Sequence, residues 1–261
     1  MYHAAANKHV PLVEHNPISA IKTNVLGTYI VAESALKSNI ENFVLVSSDK
    51  AVRPTNIMGA TKRFAELILQ SFQDLANKKT SEKCRTKFCM VRFGNVLDTS
   101  GSVVPLFREQ IMSGGPVTVT DSRVIRYFMT IQEATELVIQ AGSLSKGGEV
   151  FLLDMGEPIS ILNLAKQMIL LSGNEIRDDD NPNGDIEIKF IGLRAGEKLY
   201  EELLIGDDVS KTIHEHIMSA NEDKLSHSDI QKYMSQFMKL DSATKITEVQ
   251  NLLYKAIDGY K

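Results

Sequence analysis

The sequence predicts an α/β protein built on a parallel β-sheet that helices cover on both faces. Two observations predict this class: short apolar runs typical of buried parallel strands, and longer segments between them whose apolar residues follow helical spacing. The chain of 261 residues is 43% hydrophobic and 24% charged, so it can bury a full globular core. We expect ligands to bind where the carboxyl ends of the strands meet.

The first half of the chain alternates predicted strands and helices. Residues 1–6 are too few for a strand with its own entry loop, yet their small side chains suit the end of a strand. A helical pattern follows over residues 16–38, and Asn39 can end that helix. The next predicted elements are a strand at 43–46, a helix at 59–75 and a strand at 87–93.

A stretch rich in glycine and containing prolines, residues 94–116, interrupts this alternation. Beyond it, Thr130 can cap a helix over residues 131–142, and an acidic, asparagine-rich loop occupies residues 177–184. The tail from Asp207 is polar and helical in pattern. The other predicted elements are strands at 117–119, 149–153 and 186–190 and a helix at 159–171.

Composition argues against several classes of protein. The net charge of −4 gives no basic field for a nucleic-acid partner. The cysteines, Cys84 and Cys89, are too few and too close for a disulfide framework, which favours a reducing cytosol. No apolar run approaches the roughly 20 residues that cross a bilayer, so we expect a soluble, cytoplasmic protein with no membrane span in this chain.

Histidines recur at three early positions, His3, His9 and His15. Their spacing of six residues matches neither one face of a helix nor a known metal-binding pattern. We therefore expect no metal site.

The end of the strand at 43–46 carries the first candidate site. Ser47, Ser48, Asp49 and Lys50 place hydroxyl, carboxylate and amine groups where a parallel sheet presents its functional groups. Lys62, one turn into the following helix, can reach back and hydrogen-bond a ribose. The alternative is that Asp49 only caps a turn and that Lys62 is a solvated charge, and the spacing leaves both open.

Further candidates follow the strand at 87–93. Asn95 can contact a base or sugar edge, and the glycines around Ser102 let backbone donors approach a ligand, although a tight turn also needs glycine. Arg126 and Arg194 have guanidinium groups suited to a diphosphate, and Glu197 has a carboxylate suited to a ribose diol. Isolated arginines are otherwise surface charges.

Seven motifs occur in order from the first residue to about Ile205: HAAANKHVPLVEHNP, TNVLGT, SSDKAVRPTNIMGATKR, VRFGNVLDTSGSVVPLF, RYFMT, FLLDMGEPISI and GLRAGEKLYEELL. Together they resemble the extended short-chain dehydrogenase/reductase superfamily. More narrowly, they are similar to the nucleotide-sugar epimerases and dehydratases of bacterial surface polysaccharide biosynthesis, above all the UDP-N-acetylglucosamine 4,6-dehydratases.

The resemblance implies a partial Rossmann-like parallel sheet without its amino-terminal strands, a small α+β substrate-binding part and a helical tail. The Rossmann-like part is expected at residues 1–93 and 129–154, and the substrate-binding part at 94–128 and 155–206. Residues 207–261 form the expected helical extension.

The resemblance also implies roles for individual residues. Asp49 and Lys50 become the acid and base at the sugar, Lys62 binds the nicotinamide ribose, and Ser48 or water accepts the C4 hydroxyl proton. The residues expected along the cofactor, or supporting the sheet around it, are Ala4, Ala5, Asn24 and Ser47. The residues expected to hold the uridine diphosphate part are Asn95, Ser102, Val103, Arg126, Arg194 and Glu197.

The implied reaction oxidises C4 of the hexose, eliminates water across C5 and C6, and returns the hydride to C6. The alternatives are a UDP-sugar epimerase of the same superfamily and an inactive fragment that binds a UDP-sugar or a partner chain. The cofactor is NAD or NADP, and the resemblance favours NADP.

Two features depart from the superfamily pattern. Met58 stands where a catalytic tyrosine is usual, a change shared by the large membrane-tethered dehydratases of the group. No G-x-x-G-x-x-G phosphate loop occurs in the sequence. We therefore expect either a fragment of a longer enzyme, whose relatives are tethered to the cytoplasmic face of a membrane, or a missing half supplied by another chain. A homo-oligomer is the alternative partner.

Overall fold

The computed structural model describes residues 1–78, 86–194, 196–202 and 209–260. Cys84 and the expected boundary at residues 206 and 207 lie outside these ranges. The chain forms two compact units. The first unit comprises Met1–Phe93, Thr135–Asp154 and Glu202–Lys261, and the second comprises Gly94–Ala134 and Met155–Glu201.

The structure confirms the α/β class. Its helices are α1 (Val10–His15), α2 (Pro17–Ala20), α3 (Thr28–Lys37), α4 (Ile57–Lys78), α5 (Val103–Met112), α6 (Ile131–Leu144), α7 (Ile161–Leu171), α8 (His227–Phe237) and α9 (Ile246–Ala256). Its strands are β1 (Tyr2–His3), β2 (Asn42–Val46), β3 (Lys87–Arg92), β4 (Asn95–Val96), β5 (Val117–Val119), β6 (Ile125–Arg126), β7 (Phe128–Met129), β8 (Val150–Leu153), β9 (Ile159–Ser160), β10 (Ile176–Arg177), β11 (Ile186–Phe190), β12 (Val209–Lys211) and β13 (Ile217–Ala220).

The sheet of the first unit has the strand order β1-β2-β3-β8-β13-β12. Strands β1, β2, β3 and β8 run parallel, with Val44 opposite both Tyr2 and Cys89 and with Met90 opposite Val150. The polar segment that follows β2 therefore lies at the carboxyl edge of this parallel sheet, as the sequence predicts. Strands β13 and β12 add to the far side in antiparallel orientation.

The tail contains the expected helices, α8 and α9, but these two antiparallel strands precede them and were not predicted. Strand β13 pairs with β8, with Ile217 opposite Leu153. The strands were missed because they are only three and four residues long and β12 is exposed along its length, so neither carries a clear apolar pattern.

The predicted helix over residues 16–38 is also more complex than expected. Between α2 and α3 the backbone forms a π-helical turn, Ile21–Gly27, which carries the buried side chain of Asn24. The helix ends where predicted, because Asn39 has a φ angle of 53°, in the left-handed region that helical backbone cannot continue.

Helix α4 is buried along most of its length. It packs on β3 and on α3, and the tail helices α8 and α9 cover it further. Phe64 meets Phe237 of α8 edge-on, with ring centroids 5.0 Å apart. The tail is thus part of the core of the first unit.

The second unit has a small parallel sheet of order β10-β11-β5, packed with α5 and α7. Its core includes Phe107, Val117, Val119 and Ile169. Two short strand pairs, β4 with β7 and β6 with β9, complete it. Over the described ranges of the whole chain, no helix has the length and apolar character needed to cross a membrane.

Candidate functional site

The segment after β2 forms a tight turn held by its neighbours. Ser47 N–H donates to the Val91 carbonyl at 2.8 Å and Asp49 N–H donates to the Phe93 carbonyl at 3.1 Å, which tie the segment to β3 and the residue after it. Asp49–Ala51 is a single 3₁₀ turn, and Ser48 Oγ caps it by accepting the Lys50 N–H at 3.2 Å. The turn therefore presents its side chains from a fixed backbone.

Asp49, which is buried, and Lys50, which is partly exposed, form an ion pair in this turn. Lys50 Nζ donates to Asp49 Oδ1 at 3.0 Å, and Ser48 Oγ donates to the same oxygen at 2.8 Å. The Asp49 side chain is only 2% exposed, and its second oxygen, Oδ2, has no hydrogen-bond partner among the described residues. A buried carboxylate oxygen without a partner is costly, so this atom is suited to receive a donor from a ligand.

Helix α4 approaches the turn unusually closely, because Gly59 has no side chain. A Cβ atom at Gly59 would lie 2.1 Å from the Lys50 carbonyl oxygen. Asn56 Oδ1 accepts the Gly59 N–H at 2.8 Å, and Glu14 Oε1 accepts the Ile57 N–H at 2.6 Å, which satisfies two amides of the first turn. Glycine at this position thus brings the first turn of α4 onto the Lys50 backbone.

Met58 is buried in that first turn. Its carbonyl accepts a hydrogen bond from Thr61 Oγ1 at 2.7 Å, and its thioether has no proton to exchange. Ser48 Oγ, which donates to Asp49 and accepts the Lys50 N–H, keeps one lone pair for a further hydrogen bond.

Lys62 reaches back to the end of β2, as the sequence predicts. Its Nζ donates to the Val46 carbonyl at 2.8 Å, and the residue is 6% exposed. Burial lowers the pKa of Lys62 to about 8, while the negative charge of Glu66 opposes that fall. His3 lies within the electrostatic reach of Lys62, and burial and the lysine charge together lower the pKa of His3.

Of the other residues expected along the cofactor, Ala4 and Ala5 are exposed to solvent, whereas the Asn24 side chain is hydrogen-bonded within the protein. Ala4 and Ala5 are exposed directly after β1. Asn24 is buried, and its side chain bonds the Asn7 backbone at 2.8 and 3.1 Å and Thr61 Oγ1 at 2.9 Å. Asn24 therefore supports the segment after β1 against α4.

A buried ionic cluster lies beside Ser47, and sequence reasoning missed it. Ser47 Oγ donates to Glu66 Oε1 at 2.5 Å. Arg92 donates to the same carboxylate through Nε at 2.8 Å and through a terminal nitrogen at 2.6 Å. It also donates to the two carboxylate oxygens of Glu222 at 2.5 and 2.8 Å. Arg63 bridges the two carboxylates at 3.0 and 2.9 Å.

One feature of the sequence could have predicted part of this cluster. Arg92 lies near the end of the predicted strand at 87–93, directly after the apolar residues 88–91, and a charged side chain in such a place requires a buried partner. Glu66 follows Lys62 by one helical turn on α4, the neighbouring element. The second partner, Glu222, is 130 residues away from Arg92, so only the fold identifies it.

In the second unit, the structure brings three of the predicted residues together. Glu197 accepts hydrogen bonds from Thr120 Oγ1 at 3.0 Å, from the Arg194 N–H at 3.1 Å and from Arg126 at 3.4 Å. The Arg126 guanidinium also donates to the carbonyls of Ile125, Lys198 and Leu199 at 2.7–3.1 Å. Arg126 and Glu197 thus hold one segment in place, while Arg194 is exposed.

The remaining candidates surround the start of α5. Ser102 is the N-cap residue, yet its Oγ is buried and has no hydrogen-bond partner among the described residues, and Val103 is the first residue of the helix. Asn95 on β4 donates to the Tyr127 carbonyl at 3.3 Å. A free hydroxyl beside unpaired helix amides can bind an anionic oxygen. No group of three metal-ligating side chains was found in the described part of the chain.

The parallel sheet and the polar turns at its carboxyl edge define a Rossmann-type α/β protein. The chain belongs to the family of polysaccharide biosynthesis proteins, whose model matches residues 1–222. The resemblance drawn from the seven motifs is thereby confirmed.

Three curated relatives illustrate the range of the family. The chain is 48% identical over 252 residues to the capsular polysaccharide biosynthesis protein CapD of Staphylococcus aureus, covering 96% of this chain and 40% of the relative. It is 34% identical to an inverting UDP-N-acetylglucosamine 4,6-dehydratase of Campylobacter jejuni, and the match covers 79% of this chain and 56% of that relative. It is 36% identical to a UDP-glucose 4-epimerase of Rickettsia canadensis, and the match covers 81% of this chain and 57% of that relative.

Solved structures agree with the fold. The X-ray structure of Pen from Bacillus thuringiensis matches with a TM-score of 0.74 and 36% identity, covering 87% of this chain and 66% of that one. The dTDP-glucose 4,6-dehydratase DesIV from Streptomyces venezuelae, solved with NAD, matches with a TM-score of 0.66 at 17% identity, covering 91% and 72%. The second likeness concerns the fold alone.

Proposed function

We propose that this chain carries the sugar-acting residues of a nucleotide-sugar 4,6-dehydratase for surface polysaccharide or glycan biosynthesis. The proposed substrate is UDP-N-acetylglucosamine or a similar UDP-hexose. The observation that carries the proposal is the Asp49 carboxylate: Lys50 and Ser48 bind one oxygen, and the other is buried with no partner among the described residues. The relative named as a UDP-N-acetylglucosamine 4,6-dehydratase supports this substrate and reaction.

Elimination needs one group to remove the C5 proton and another to protonate the departing C6 hydroxyl. We assign Lys50 as the base and Asp49 as the acid. A proton can pass from Lys50 to Asp49 across their 3.0 Å contact, which leaves a neutral amine and a protonated carboxyl ready for these steps. We propose that the C4 hydroxyl proton leaves through Ser48 Oγ or water to solvent, with Ser48 releasing its own proton as it takes one up, because the Met58 thioether cannot accept it.

A nicotinamide cofactor, NAD or NADP, supplies the acceptance and return of hydride when it is bound. The residues present fit its ribose end. Lys62 uses one of the three donors of an ammonium on Val46 within the described residues, which leaves donors for ribose hydroxyls. Ala4 and Ala5 are small and exposed beside it at the end of the neighbouring strand. We propose that these residues, backed by Asn24 and Ser47, line the cofactor.

The uridine diphosphate part is proposed to bind residues of the second unit. Ser102 and the start of α5 offer a hydroxyl and backbone amides to phosphate oxygens. Arg194 has an exposed guanidinium, and Arg126 with Glu197 fixes the segment that carries it. The full proposed set is Asn95, Ser102, Val103, Arg126, Arg194 and Glu197. A cytoplasmic location fits a UDP-sugar substrate and is part of the proposal.

A UDP-sugar epimerase is the second candidate, because the relative named as a UDP-glucose 4-epimerase is 36% identical. Both reactions begin with oxidation at C4. The Asp49 and Lys50 pair favours dehydration, since an epimerase at C4 has no leaving hydroxyl to protonate.

Product analysis separates these functions. The purified chain is incubated with UDP-N-acetylglucosamine and NAD or NADP, and the sugar nucleotide is examined by mass spectrometry and NMR. A product lighter by one water supports the dehydratase. An isomer of unchanged mass supports the epimerase, and binding of UDP with neither product indicates a binding module.

A further inference from the structure

Glu66, a carboxylate in the core, hydrogen-bonds one cofactor-side residue of the proposed site, Ser47. Its Oε1 accepts the Ser47 hydroxyl at 2.5 Å, so the only proton of that hydroxyl is committed to Glu66. The lone pairs of Ser47 Oγ then face away from the bond in a fixed direction. Glu66 also lies four residues after Lys62 on α4, so the two side chains are neighbours on one face of the helix.

The surrounding arginines keep this carboxylate ionised. Arg92 donates to both Glu66 oxygens and Arg63 donates to one of them, and all three side chains are buried. Burial opposes ionisation, but the arginines and the Ser47 hydroxyl outweigh it and lower the pKa of Glu66 to about 2. Its negative charge is therefore constant over the range in which the Lys62 ammonium loses its proton.

Glu66 acts on Lys62 through charge. Burial lowers the pKa of Lys62 and the Glu66 charge raises it. His3 interacts with Lys62 electrostatically: burial lowers the pKa of His3, and the charge of Lys62 lowers it further. The charged or titratable groups on the elements packed against α4 include Glu14, His15, Lys22, Tyr29, Glu33, Lys37, Asp49, Lys50, Lys87, Arg92, His227, Asp229, Lys232, Tyr233, Glu248, Tyr254 and Lys255.

We infer that Glu66 is a positioning residue of the proposed site: it fixes the Ser47 hydroxyl and holds a constant negative charge one helical turn from the Lys62 ammonium. This inference rests on the proposed function in assigning Ser47 and Lys62 to the cofactor. A purely structural role for the cluster would not distinguish Glu66 from Glu222. The inference requires that Glu66, and not Glu222, raises the pKa of Lys62.

Titration of Lys62 tests the inference without an activity assay. The chain is labelled with ¹³C at the lysine ε carbons, Lys62 is assigned from the signal lost in Lys62→Arg, and its midpoint is followed by NMR. We expect Glu66→Gln to lower the Lys62 midpoint by roughly one pH unit. The matched control is Glu222→Gln. It removes a carboxylate that belongs to the same cluster but does not bond Ser47, and we expect it to leave the Lys62 midpoint unchanged.

An unchanged midpoint in Glu66→Gln, or equal shifts in both variants, would overturn the inference. A second measurement needs no substitution, in case Glu66→Gln fails to fold. The Glu66 carboxyl carbon of the unmodified chain is followed from about pH 8 to about pH 5. We expect the shift of an ionised carboxylate throughout, and a protonated Glu66 in that range contradicts the inference. Failure of the proposed function is tested separately, by measuring whether the unmodified chain binds NAD or NADP. No binding would contradict the proposed function and leave the Lys62 titration as the test of the inference.

Discussion

Lys50 Nζ lies 3.0 Å from Asp49 Oδ1, while the other oxygen of the same carboxylate is buried with no hydrogen-bond partner among the described residues. An ion pair in a turn usually serves stability alone. Here one carboxylate oxygen is left for a ligand at the carboxyl edge of a parallel sheet, where such folds bind their ligands. This asymmetry connects the local structure of the turn with the chemistry proposed for it.

Lys50→Ala tests the base. The substitution removes the amine that we assign to the C5 proton, and it leaves Asp49 without its ionic partner. We expect water elimination to fall by about 10²-fold or more, the usual contribution of a positioned acid or base. The measurement is the rate of product formation from UDP-N-acetylglucosamine. Unchanged elimination would remove Lys50 from the mechanism.

Lys37→Ala is a matched control for that substitution. Lys37 pairs with Glu33 on the surface of α3, with side chains 68% and 43% exposed, and such pairs add little to stability. We expect its elimination rate to equal that of the unmodified chain. A similar loss in both variants would indicate a general effect of removing a lysine.

Gly59→Ala tests the close approach of α4 to the turn. A Cβ atom 2.1 Å from the Lys50 carbonyl forces the backbone apart, so we expect a loss of about 3 kcal/mol in the free energy of unfolding. Urea denaturation measures it. Gly27→Ala is the control, because Gly27 has a helical φ of −59° and alanine is tolerated there, with a gain of up to about 1 kcal/mol. Equal effects at both glycines would contradict the account.

The buried cluster predicts a specific response to acid. Glu66 has its pKa lowered from 4.5 to about 2, so the unfolded chain binds a proton at a higher pH than the folded chain does. This group's contribution to stability is complete above about pH 4.5 and is lost as the pH falls towards 2. Urea denaturation at several pH values should therefore show a shallower loss in Glu66→Gln than in the unmodified chain. Parallel curves would refute this role.

The tail helices are expected to be essential to the first unit. Phe237 is 1% exposed and packs on Phe64, so Phe237→Ala should cost about 3–5 kcal/mol in the free energy of unfolding. The neighbouring residue Met238 is 61% exposed, and Met238→Ala should change stability by less than about 0.5 kcal/mol. A tail that folds separately would show little loss for Phe237→Ala.

The sequence predicts the core parallel strands and α4 because the strands are short apolar runs and the apolar residues of α4 follow helical spacing. It also locates Lys62 at the end of β2, since one helical turn fixes its reach. It does not predict β12 and β13, whose few residues lack a pattern, or the contacts of Arg92 with Glu66 and Glu222, which depend on tertiary packing. The Asp49 oxygen that has no hydrogen-bond partner in the described part of the chain likewise appears only when the surrounding atoms are in place.

The most direct test of the central claim is the incubation of UDP-N-acetylglucosamine with the purified chain and NAD or NADP in heavy water. Elimination removes the C5 proton and reforms a C5–H bond from solvent, so the account predicts a product that is lighter by one water and carries deuterium at C5. Recovery of a sugar nucleotide that has lost no water, whether the original or its C4 epimer, would contradict the proposal that Asp49 and Lys50 carry out dehydration.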